Sequence, residues 1–377
     1  MGSSVAYYLS QKPGAFDVTV LERDPTYAQA SSALSASSIR QQFSSPVNIG
    51  MSQAGIAFLR SLHSTLYVDD PAPDVGLTEP GYLYLASAAG SAALRENHVT
   101  QVAHGVDVAL LQPAELGTRF PWLHTGDLSL GALGLSGEGW FDGYGLMQAL
   151  RKKAIAQGVR YLRAEAVGLL REGRRINGVW LNNGAALACD AVVNAAGPWA
   201  ARVARWAGID LPVRARRRTV FSFNCREALP RCPLVIDPSG IWFRPEGGKF
   251  LCGFAPDPVD DADDLPLDAQ HEAFDAHVWP LLAQRVPAFE AVRVQSAWAG
   301  YYEMNLFDQN AIIGAHPDCA NLYFVNGFSG HGLQQAPAAG RGIAELLTHG
   351  EYQSLDLSPL SFQRILDNRP LRETNII

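Results

Sequence analysis

The start of the chain most constrains its fold, because a glycine, a helical pattern, a strand and an acidic residue follow one another at fixed spacing. Gly2 precedes an apolar helical stripe, Pro13 and Gly14 break the helix, and the β-type run 18–21 leads into Glu22. A dinucleotide-binding βαβ unit places an acid about 20 residues after its glycines, where the carboxylate binds ribose hydroxyls. The pattern predicts the second half of such a unit, with an ordinary strand–helix–strand and an acidic turn as the alternative.

The first strand and the first two glycines of a G-x-G-x-x-G motif do not precede this helix. That strand would lie near the centre of a parallel sheet ordered 3-2-1-4. Burying its apolar side chains would contribute on the order of 6–12 kcal/mol, close to the stability of a whole domain, about 5–15 kcal/mol. We therefore expect Met1 to be an internal methionine of a longer protein.

Composition limits the class of protein. A length of 377 residues predicts about two domains, and 47% apolar with 18% charged residues suits a globular soluble protein. A net charge of -7 argues against nucleic-acid binding, and no apolar run reaches the length of a membrane span. The five cysteines form no C-x-x-C pair, which favours a reducing compartment, and we expect no metal site.

The pattern of elements changes twice along the chain. Helical spacing predicts helices at 48–64, 142–158 and 268–286, and alternation with turn signals predicts antiparallel strands in the central stretches. The end returns to a strand, a glycine-rich turn and a helix. We predict a discontinuous nucleotide-binding domain at 1–78, 141–207 and 300–350. A β-rich substrate domain at 79–140 and 208–299 is inserted into it twice, and 351–377 form a tail.

Two charged runs carry no clear chemistry. The acidic run 257–268 is predicted to be a solvated loop, with a metal or partner role as the less favoured alternative. The consecutive arginines 216–218 are predicted to be surface charge.

Three later blocks suit contact with a bulky cofactor. In "ASSALSASSIRQQF", Ser31 and Ser32 could donate to phosphates and Arg40 could face a ligand; a serine-rich surface loop with a helix-capping arginine is the alternative. In "DAVVNAAGPWA", a strand runs into Ala195 and Gly197, and small residues there permit close contact.

The third block, "GFSGHGLQQAP", lies between a strand and a helix. Gly330, Gly332 and the helix N-terminus would present N–H groups to an electron-rich ring edge, as preorganised donors do beside a flavin. His331 is a candidate base, although a histidine between glycines is more often structural.

Together these four blocks resemble the flavin-dependent amine oxidoreductases of the D-amino-acid oxidase superfamily, which includes sarcosine oxidase, glycine oxidase and dimethylglycine dehydrogenase. The wording "WAGYYEMNLFDQNAIIGAHP" is similar to a branch that includes a mitochondrial FAD-dependent oxidoreductase linked to respiratory complex I assembly. The resemblance implies an α/β fold with an α+β insert, in which a Rossmann-like FAD-binding domain is interleaved with an antiparallel β-sheet substrate domain. It also implies oxidation of a C–N bond in an amine or a secondary, N-methyl or D-amino acid, by hydride transfer to the flavin and hydrolysis of the imine product.

By motif position, the resemblance assigns cofactor contacts. The residues implied to bind the ADP half of FAD are Gly2, Glu22, Arg23, Ser31 and Ser32, with the backbone of Val167 at the adenine. The residues implied to surround the pyrophosphate and flavin are Ala195, Gly197, Gly330, His331, Gly332, Leu333 and Gln334.

The sequence departs from the family pattern at functional positions. Sarcosine oxidases attach flavin through a cysteine in the segment where this chain has Gly300, Tyr301 and Tyr302, so we expect noncovalent FAD. Gln334 replaces a lysine that helps bind substrate carboxylate, and the lysine that promotes reaction with oxygen corresponds to Leu251.

An amino acid substrate needs a cation for its carboxylate, ideally a bidentate arginine. The catalytic candidates are Arg40 and Arg244, with Arg218 less favoured because of its neighbours. The aromatic residues that could wall the pocket, or belong to an ordinary core, are Trp242, Tyr301 and Tyr302.

The partners and compartment stay open at this point. We expect a small amine or amino acid substrate and oxygen, a quinone or an electron-transfer protein as acceptor, with no nucleic acid and no transmembrane segment. The location would be cytoplasmic in a bacterium or mitochondrial in a eukaryote. The alternative function is a flavin-bearing assembly or chaperone factor that turns over no small substrate; an NAD-dependent dehydrogenase is disfavoured because it has no role for the late glycine block.

Overall fold

A computed structural model describes residues 1–257 and 259–374. Its strands are β1 (Thr19–Glu22), β2 (Ser38–Ile39), β3 (Tyr82–Ala86), β4 (Val108–Leu111), β5 (Leu130–Gly134), β6 (Gly139–Trp140), β7 (Arg160–Arg163), β8 (Ala166–Glu172), β9 (Arg175–Leu181), β10 (Ala186–Ala188), β11 (Val192–Asn194), β12 (Val213–Phe223), β13 (Leu234–Ile236), β14 (Ile241–Glu246), β15 (Lys249–Phe254), β16 (Val294–Asn305), β17 (Ile312–His316) and β18 (Cys319–Asn326).

The helices are α1 (Gly2–Leu9), α2 (Ser31–Leu34), α3 (Pro46–Thr65), α4 (Ser91–Ala103), α5 (Pro113–Arg119), α6 (Gly143–Ala156), α7 (Ala200–Trp206), α8 (His271–Ala273), α9 (Trp279–Arg285), α10 (Gly332–His349) and α11 (Gln363–Leu366). The predicted helices at 48–64 and 142–158 are confirmed as α3 and α6. The predicted helix 268–286 is present as α8 and α9 joined by a π-helical turn, Phe274–Val278. No helix of the described residues is both long and apolar enough to cross a bilayer.

Two small sheets are built around the parallel pairs β1–β7 and β11–β18. Strand β1 pairs with β7, and β11 pairs with β18, which also carries the antiparallel β17. The single parallel sheet expected from the sequence is therefore present as two hydrogen-bonded pieces. The carboxyl ends of β1, β11 and β18 lead into segments that line one cavity, which is the edge where parallel sheets bind ligands.

Helices α1, α3 and α10 pack closely because glycines lie at their crossings. A Cβ on Gly55 of α3 would lie 2.1 Å from the Gln334 carbonyl oxygen, and one on Gly340 of α10 would lie 2.2 Å from Ser4 Oγ. The Ser4 hydroxyl donates to the Ala336 carbonyl at 2.7 Å. These contacts fix the start of α10 beside the cavity.

The second layer is an eight-stranded mixed sheet in the order β16-β12-β15-β14-β13-β3-β5-β4. Its strands come from residues 82–134 and 213–305, on both sides of the β7–β11 segment. One face buries an aromatic and aliphatic core that includes Leu83, Phe221, Phe243 and Phe289. The opposite face carries Tyr82, Leu234 and Ile236 and turns toward the cavity.

The described residues of the acidic run form a largely exposed loop, as predicted, but the consecutive arginines 216–218 are only partly exposed and contact this loop. Arg218 forms a bidentate ion pair with Asp261, at 2.7 and 2.9 Å, and Arg216 pairs with Asp263 at 3.0 Å. The acidic run folds back onto β12 because the carboxylates neutralise arginines that the strand holds against the domain. Pro258 of this run lies outside the described residues.

The C-terminal segment is tied to the rest of the chain by a buried ion pair. Arg364 donates from Nε and Nη2 to the two carboxylate oxygens of Asp308, at 2.8 and 3.0 Å. Asp308 also accepts the backbone N–H of Leu371 at 3.0 Å. This anchoring carries residues up to Glu373 back toward the cavity.

Candidate active site

A cavity of about 1160 Å³ lies between the parallel strands and the eight-stranded sheet. Most residues predicted for the site line it: Gly2, Glu22, Arg23, Ser31, Ser32, Arg40, Ala195, Gly197, Tyr301, Tyr302, Gly330, His331, Gly332, Leu333 and Gln334. Arg244 and Val167 are not among the lining residues. Segments that are distant in the sequence therefore meet around one space.

One end of the cavity is formed by the carboxyl end of β1. The Glu22 carboxylate is half-buried and accepts the N–H of Asp24 at 2.9 Å. Burial raises the pKa of Glu22, and the Asp24 N–H and the neighbouring Arg23 oppose that rise. The Arg23 guanidinium lies 3.9 Å from the ring centroid of Trp199, so a cation–π contact joins this end to the turn after β11.

Arg40 is the central charged group of the cavity. Its side chain is 3% exposed, Nη1 donates to the Gln42 carbonyl at 2.7 Å, and Nη2 lies 2.9 Å from Nε2 of His331. The guanidinium lies 4.1 Å from the ring centroid of Phe43. Among residues 1–257 and 259–374, no carboxylate oxygen lies within 4.0 Å of its nitrogens. A buried cation that no carboxylate contacts directly is costly, even with the charge of Glu138 behind the loop, so this arrangement favours an anion from outside the chain.

His331 holds Arg40 as a neutral acceptor. Burial, with the adjacent Arg40 charge, lowers the pKa of His331 to about 3. Because guanidinium groups only donate, Nε2 must accept the Arg40 hydrogen bond, which assigns the ring proton to Nδ1. His331 is therefore built to orient Arg40 rather than to carry a charge.

The backbone around Arg40 is held by two further side chains. Gln334 Oε1 accepts the Arg40 N–H at 2.7 Å. Glu138 is fully buried and accepts the N–H groups of Gln41, at 2.6 Å, and Gln42, at 3.1 Å. Burial raises the pKa of Glu138 to about 7, against the hydrogen bonds that stabilise the ionised form.

The comparisons with known proteins decide the family. Residues 1–346 match the family model described as DAO, FAD dependent oxidoreductase. The chain is 41% identical to the FAD-dependent oxidoreductase domain-containing protein 1 of Xenopus laevis, over 100% of this chain and 83% of that protein.

This chain belongs to the DAO family of FAD-dependent oxidoreductases.

A more distant relative agrees with this assignment, and a solved structure agrees with the fold. The chain is 27% identical to the mitochondrial sarcosine dehydrogenase of Homo sapiens, over 66% of this chain and 28% of that protein. The crystal structure of L-proline dehydrogenase from P. horikoshii superposes with a TM-score of 0.86 at 24% identity, covering 98% of this chain and 96% of that one. The predicted family, α/β fold class and FAD cofactor are thereby confirmed.

The cavity of this DAO-family chain fits FAD at two glycine turns. Gly197, after β11, and Gly330, after β18, have φ of +54° and +99°, which side chains rarely adopt. A Cβ on Gly330 would lie 2.5 Å from Cε2 of Tyr302. Both turns expose backbone amides at the carboxyl ends of parallel strands, which suits a dinucleotide.

The two tyrosines of the "GYYE" segment differ in their hydroxyl contacts. The Tyr301 hydroxyl donates to the Leu265 carbonyl at 2.7 Å, so it supports the returning acidic run. The Tyr302 ring packs on Gly330, and its centroid lies 5.3 Å from the Arg218 guanidinium carbon. Burial raises the pKa of Tyr302, which keeps its phenol protonated within the cavity.

Three of the expected site residues have contacts or positions that bear on their expected roles. The Arg244 guanidinium donates to Glu246 and to the Ala36 carbonyl, and it stays outside the cavity because its own strand satisfies its charge. Val167 is 41% exposed, while the preceding Ala166 lines the cavity. The Ser31 hydroxyl donates to the Tyr301 carbonyl at 2.7 Å, so its proton is committed within the protein.

Sequence reasoning missed three carboxylates around the site, of which Glu303 and Glu373 line the cavity and the buried Glu138 lies behind the Arg40 loop. Besides Glu138, these are Glu303, which accepts the N–H of Gly327 at 3.1 Å, and Glu373, which accepts the N–H and hydroxyl of Ser44, each at 2.6 Å. Burial raises the pKa of Glu303, and hydrogen bonds lower that of Glu373. The glycines flanking Glu138 in "SGEGW" were the only local signal.

Proposed function

We propose that this FAD-dependent oxidoreductase oxidises the C–N bond of an amine that carries a carboxylate, either a secondary or N-methyl amino acid or a D-amino acid, with hydrolysis of the imine product in water. The observation that carries the proposal is Arg40, a buried guanidinium that faces the cavity without a carboxylate partner in the described residues. The name of the sarcosine dehydrogenase relative supports the same substrate class.

The residues that would hold FAD follow one another along the cavity in the same order as the parts of the cofactor. Glu22 would accept the ribose hydroxyls, and the backbone amides of the Gly197 and Gly330 turns would bind the pyrophosphate and the flavin edge. Bound FAD supplies an acceptor for the hydride that leaves the carbon next to nitrogen. We also propose that this FAD is noncovalent, because the segment that carries the attachment cysteine in sarcosine oxidases holds Gly300, Tyr301 and Tyr302 here and no cysteine; acid precipitation should then release the flavin into solution.

Arg40 would bind the substrate carboxylate through its remaining donors. A charge-assisted hydrogen bond contributes about 1.5–3 kcal/mol, and a paired guanidinium–carboxylate contact also fixes orientation. Gln334 holds the Arg40 backbone, Glu138 holds the backbone of the next two residues and His331 holds the Arg40 guanidinium, so little reorganisation accompanies binding. Such positioning lowers the entropic part of the barrier.

Tyr302 and the apolar sheet face would enclose the reacting end of the substrate. The Tyr302 phenol is neutral at physiological pH, and its raised pKa reinforces this, so it adds a hydrogen-bond donor without a charge. Tyr82 and Ile236 present apolar surface to the same cavity. Exclusion of water from this space favours the neutral amine, which is the form that releases a hydride.

Anaerobic titration of the FAD-loaded protein tests the proposal. We expect sarcosine, N-methyl-L-leucine, L-proline or a D-amino acid to bleach the visible flavin band, and Arg40→Lys to slow bleaching by about 10- to 100-fold through loss of the bidentate contact. Arg244→Lys is the matched control, since this arginine is equally buried but outside the cavity, and it should leave the rate unchanged.

Failure of every compound in the panel to reduce the flavin would overturn the proposed activity. Oxygen consumption by the reduced protein then distinguishes an oxidase from a dehydrogenase that uses a quinone or an electron-transfer protein.

A further inference from the structure

One face of the eight-stranded sheet carries a continuous cross-strand row beside the cavity. The register pairs Tyr84 with Ile236, Ile236 with Trp242, Trp242 with Gly253, and Gly253 with Val220. Directly paired residues project from the same face of a sheet, so all five belong to one surface. The row runs from β3 to β12 across the centre of the sheet.

Glycine at position 253 determines the shape of this row. A Cβ there would lie 2.8 Å from three atoms of the Trp242 indole, Cε2, Cζ2 and Nε1. Any side chain would therefore displace the ring, which now lies over the β15 backbone. The indole is half-buried and lines the cavity, so its orientation sets how much space the cavity has at this wall.

The cavity-facing residues of this region form an apolar wall, which we define as Tyr82, Val220, Leu234, Ile236 and Trp242. Leu234 belongs to it because it pairs with Tyr82 in the neighbouring register position. None of the five carries a charge, and together they present aromatic and branched aliphatic side chains.

Arg40 lies at one end of the apolar wall. Its guanidinium carbon is 5.4 Å from the ring centroid of Tyr84, which is one strand from Ile236 and two strands from Trp242. Adjacent strands are about 4.8 Å apart, so Ile236 and Trp242 lie roughly 5 and 10 Å across the sheet from Tyr84, the residue that Arg40 contacts. A branched or cyclic hydrocarbon group of a substrate whose carboxylate binds Arg40 would reach these side chains, and a methyl group would not.

The charges around the wall disfavour a second ionic group. The Arg218 guanidinium lines the cavity near Val220, and the bidentate contact with Asp261 neutralises it. A dicarboxylate would therefore place its distal charge against apolar side chains, because the arginine beside Val220 is already paired.

We propose that the substrate joins its carboxylate to a bulky apolar body that packs on the apolar wall, and that Trp242, held flat by Gly253, determines this specificity. The inference rests on the proposed function for the position of the carboxylate at Arg40. It assigns substrates such as N-methyl-leucine or a cyclic imino acid over sarcosine or a dicarboxylic amine.

Inert carboxylates test the wall without turnover. Acetate, propionate, isovalerate and succinate are titrated into FAD-loaded protein, and binding is read from the shift of the flavin spectrum and from tryptophan fluorescence. We expect about fourfold tighter binding for each added methylene that the wall buries, and succinate to bind more weakly than isovalerate. Equal affinities for acetate and isovalerate, or preference for succinate, would overturn the proposal.

Gly253→Ala tests the role of the indole. We expect about tenfold weaker isovalerate binding with acetate binding unchanged, because the displaced ring occupies space at the wall and not at Arg40. Gly117→Ala on α5 is the matched control, since the nearest atom would be 3.9 Å from its Cβ. Trp242→Phe, which needs no new space, should also reduce the preference for isovalerate over acetate. If both wall variants keep the wild-type preference, the indole does not determine specificity.

The two proposals fail in different ways. If N-methyl amino acids reduce the flavin but sarcosine does so as efficiently as N-methyl-leucine, the inference about the apolar wall is wrong and the proposed function stands. If isovalerate binds tightly in the predicted order while no amine reduces the flavin, the apolar wall stands and the proposed function is wrong.

Discussion

Glu138→Gln tests how the loop that carries Arg40 is held. Glu138 is fully buried, and one carboxylate oxygen accepts the N–H groups of Gln41 and Gln42 while the other accepts Gln42 Nε2 at 2.8 Å. Its side chain lies against β5, where a Cβ on Gly134 would overlap it at 1.8 Å. Glutamine keeps the shape of the side chain and an oxygen that accepts the two backbone N–H groups, but it carries no group that titrates in this pH range.

The size of the effect follows from the pKa of Glu138. Burial raises the pKa of this carboxyl from 4.5 to about 7 in the folded protein. The folded state therefore binds the proton more tightly than the unfolded state, so the contribution of Glu138 to stability is full below pH 4.5 and is lost as the pH rises through 7. Between pH 5 and pH 8 the wild type therefore loses about 2–3 kcal/mol of its free energy of unfolding, because each unit of pKa difference corresponds to about 1.36 kcal/mol.

Urea unfolding of the wild type and the variant at pH 5 and pH 8 measures this directly. Relative to wild type, the free energy of unfolding of Glu138→Gln should rise by about 2–3 kcal/mol from pH 5 to pH 8, since only the wild type loses the Glu138 contribution. The exposed Glu96→Gln is the control for loss of a carboxylate and should show no such change. A difference between Glu138→Gln and wild type that is the same at both pH values would refute the reasoning.

Three other outcomes are expected. Gly330→Ala should weaken FAD binding by about tenfold or more in a fluorescence titration, because the alanine adds strain at φ +99° and its Cβ displaces Tyr302. The control Gly14→Ala should leave FAD binding unchanged, because Gly14 also has a positive φ but its Cβ would enter open space. Arg364→Met should lower the free energy of unfolding by about 3–5 kcal/mol, measured with urea, because it leaves the buried Asp308 carboxylate unpaired. Acid precipitation of the holoprotein should leave the flavin in the supernatant, and flavin in the pellet would contradict noncovalent binding.

Local patterns predicted the parts of the site that depend on local geometry. The turns at Gly197 and Gly330 follow from a strand, a glycine and a helix within a few residues, and both glycines have the positive φ that such turns require. The acid at the end of β1 was likewise expected from spacing alone, and Glu22 lines the cavity.

The sequence could not distinguish Arg40 from Arg244. Both arginines are buried beside apolar residues, and each is 3% exposed. Their partners separate them: Glu246 lies two positions from Arg244, while His331 lies 291 positions from Arg40. Only the tertiary structure shows which guanidinium keeps its charge available to the cavity.

The buried carboxylates were unpredictable for the same reason. Glu373 contacts Ser44, which lies 329 positions away in the sequence. Asp261, the partner of Arg218, lies 43 positions away in a run whose composition predicts a solvated loop. Acidic residues are usually exposed, so burial becomes the expectation only when distant donors are known to converge on them.

The central claim is that the cavity holds FAD beside a carboxylate site at Arg40 and oxidises the C–N bond placed there. Its most direct test compares N-methyl-L-leucine with N-methylisoamylamine, the same compound without its carboxyl group, in anaerobic mixing with the FAD-loaded protein. We expect the amino acid to reduce the flavin, and the amine to do so about 100-fold more slowly or not at all, because it forms no contact with Arg40. Equal rates of flavin reduction by the two compounds would contradict the account.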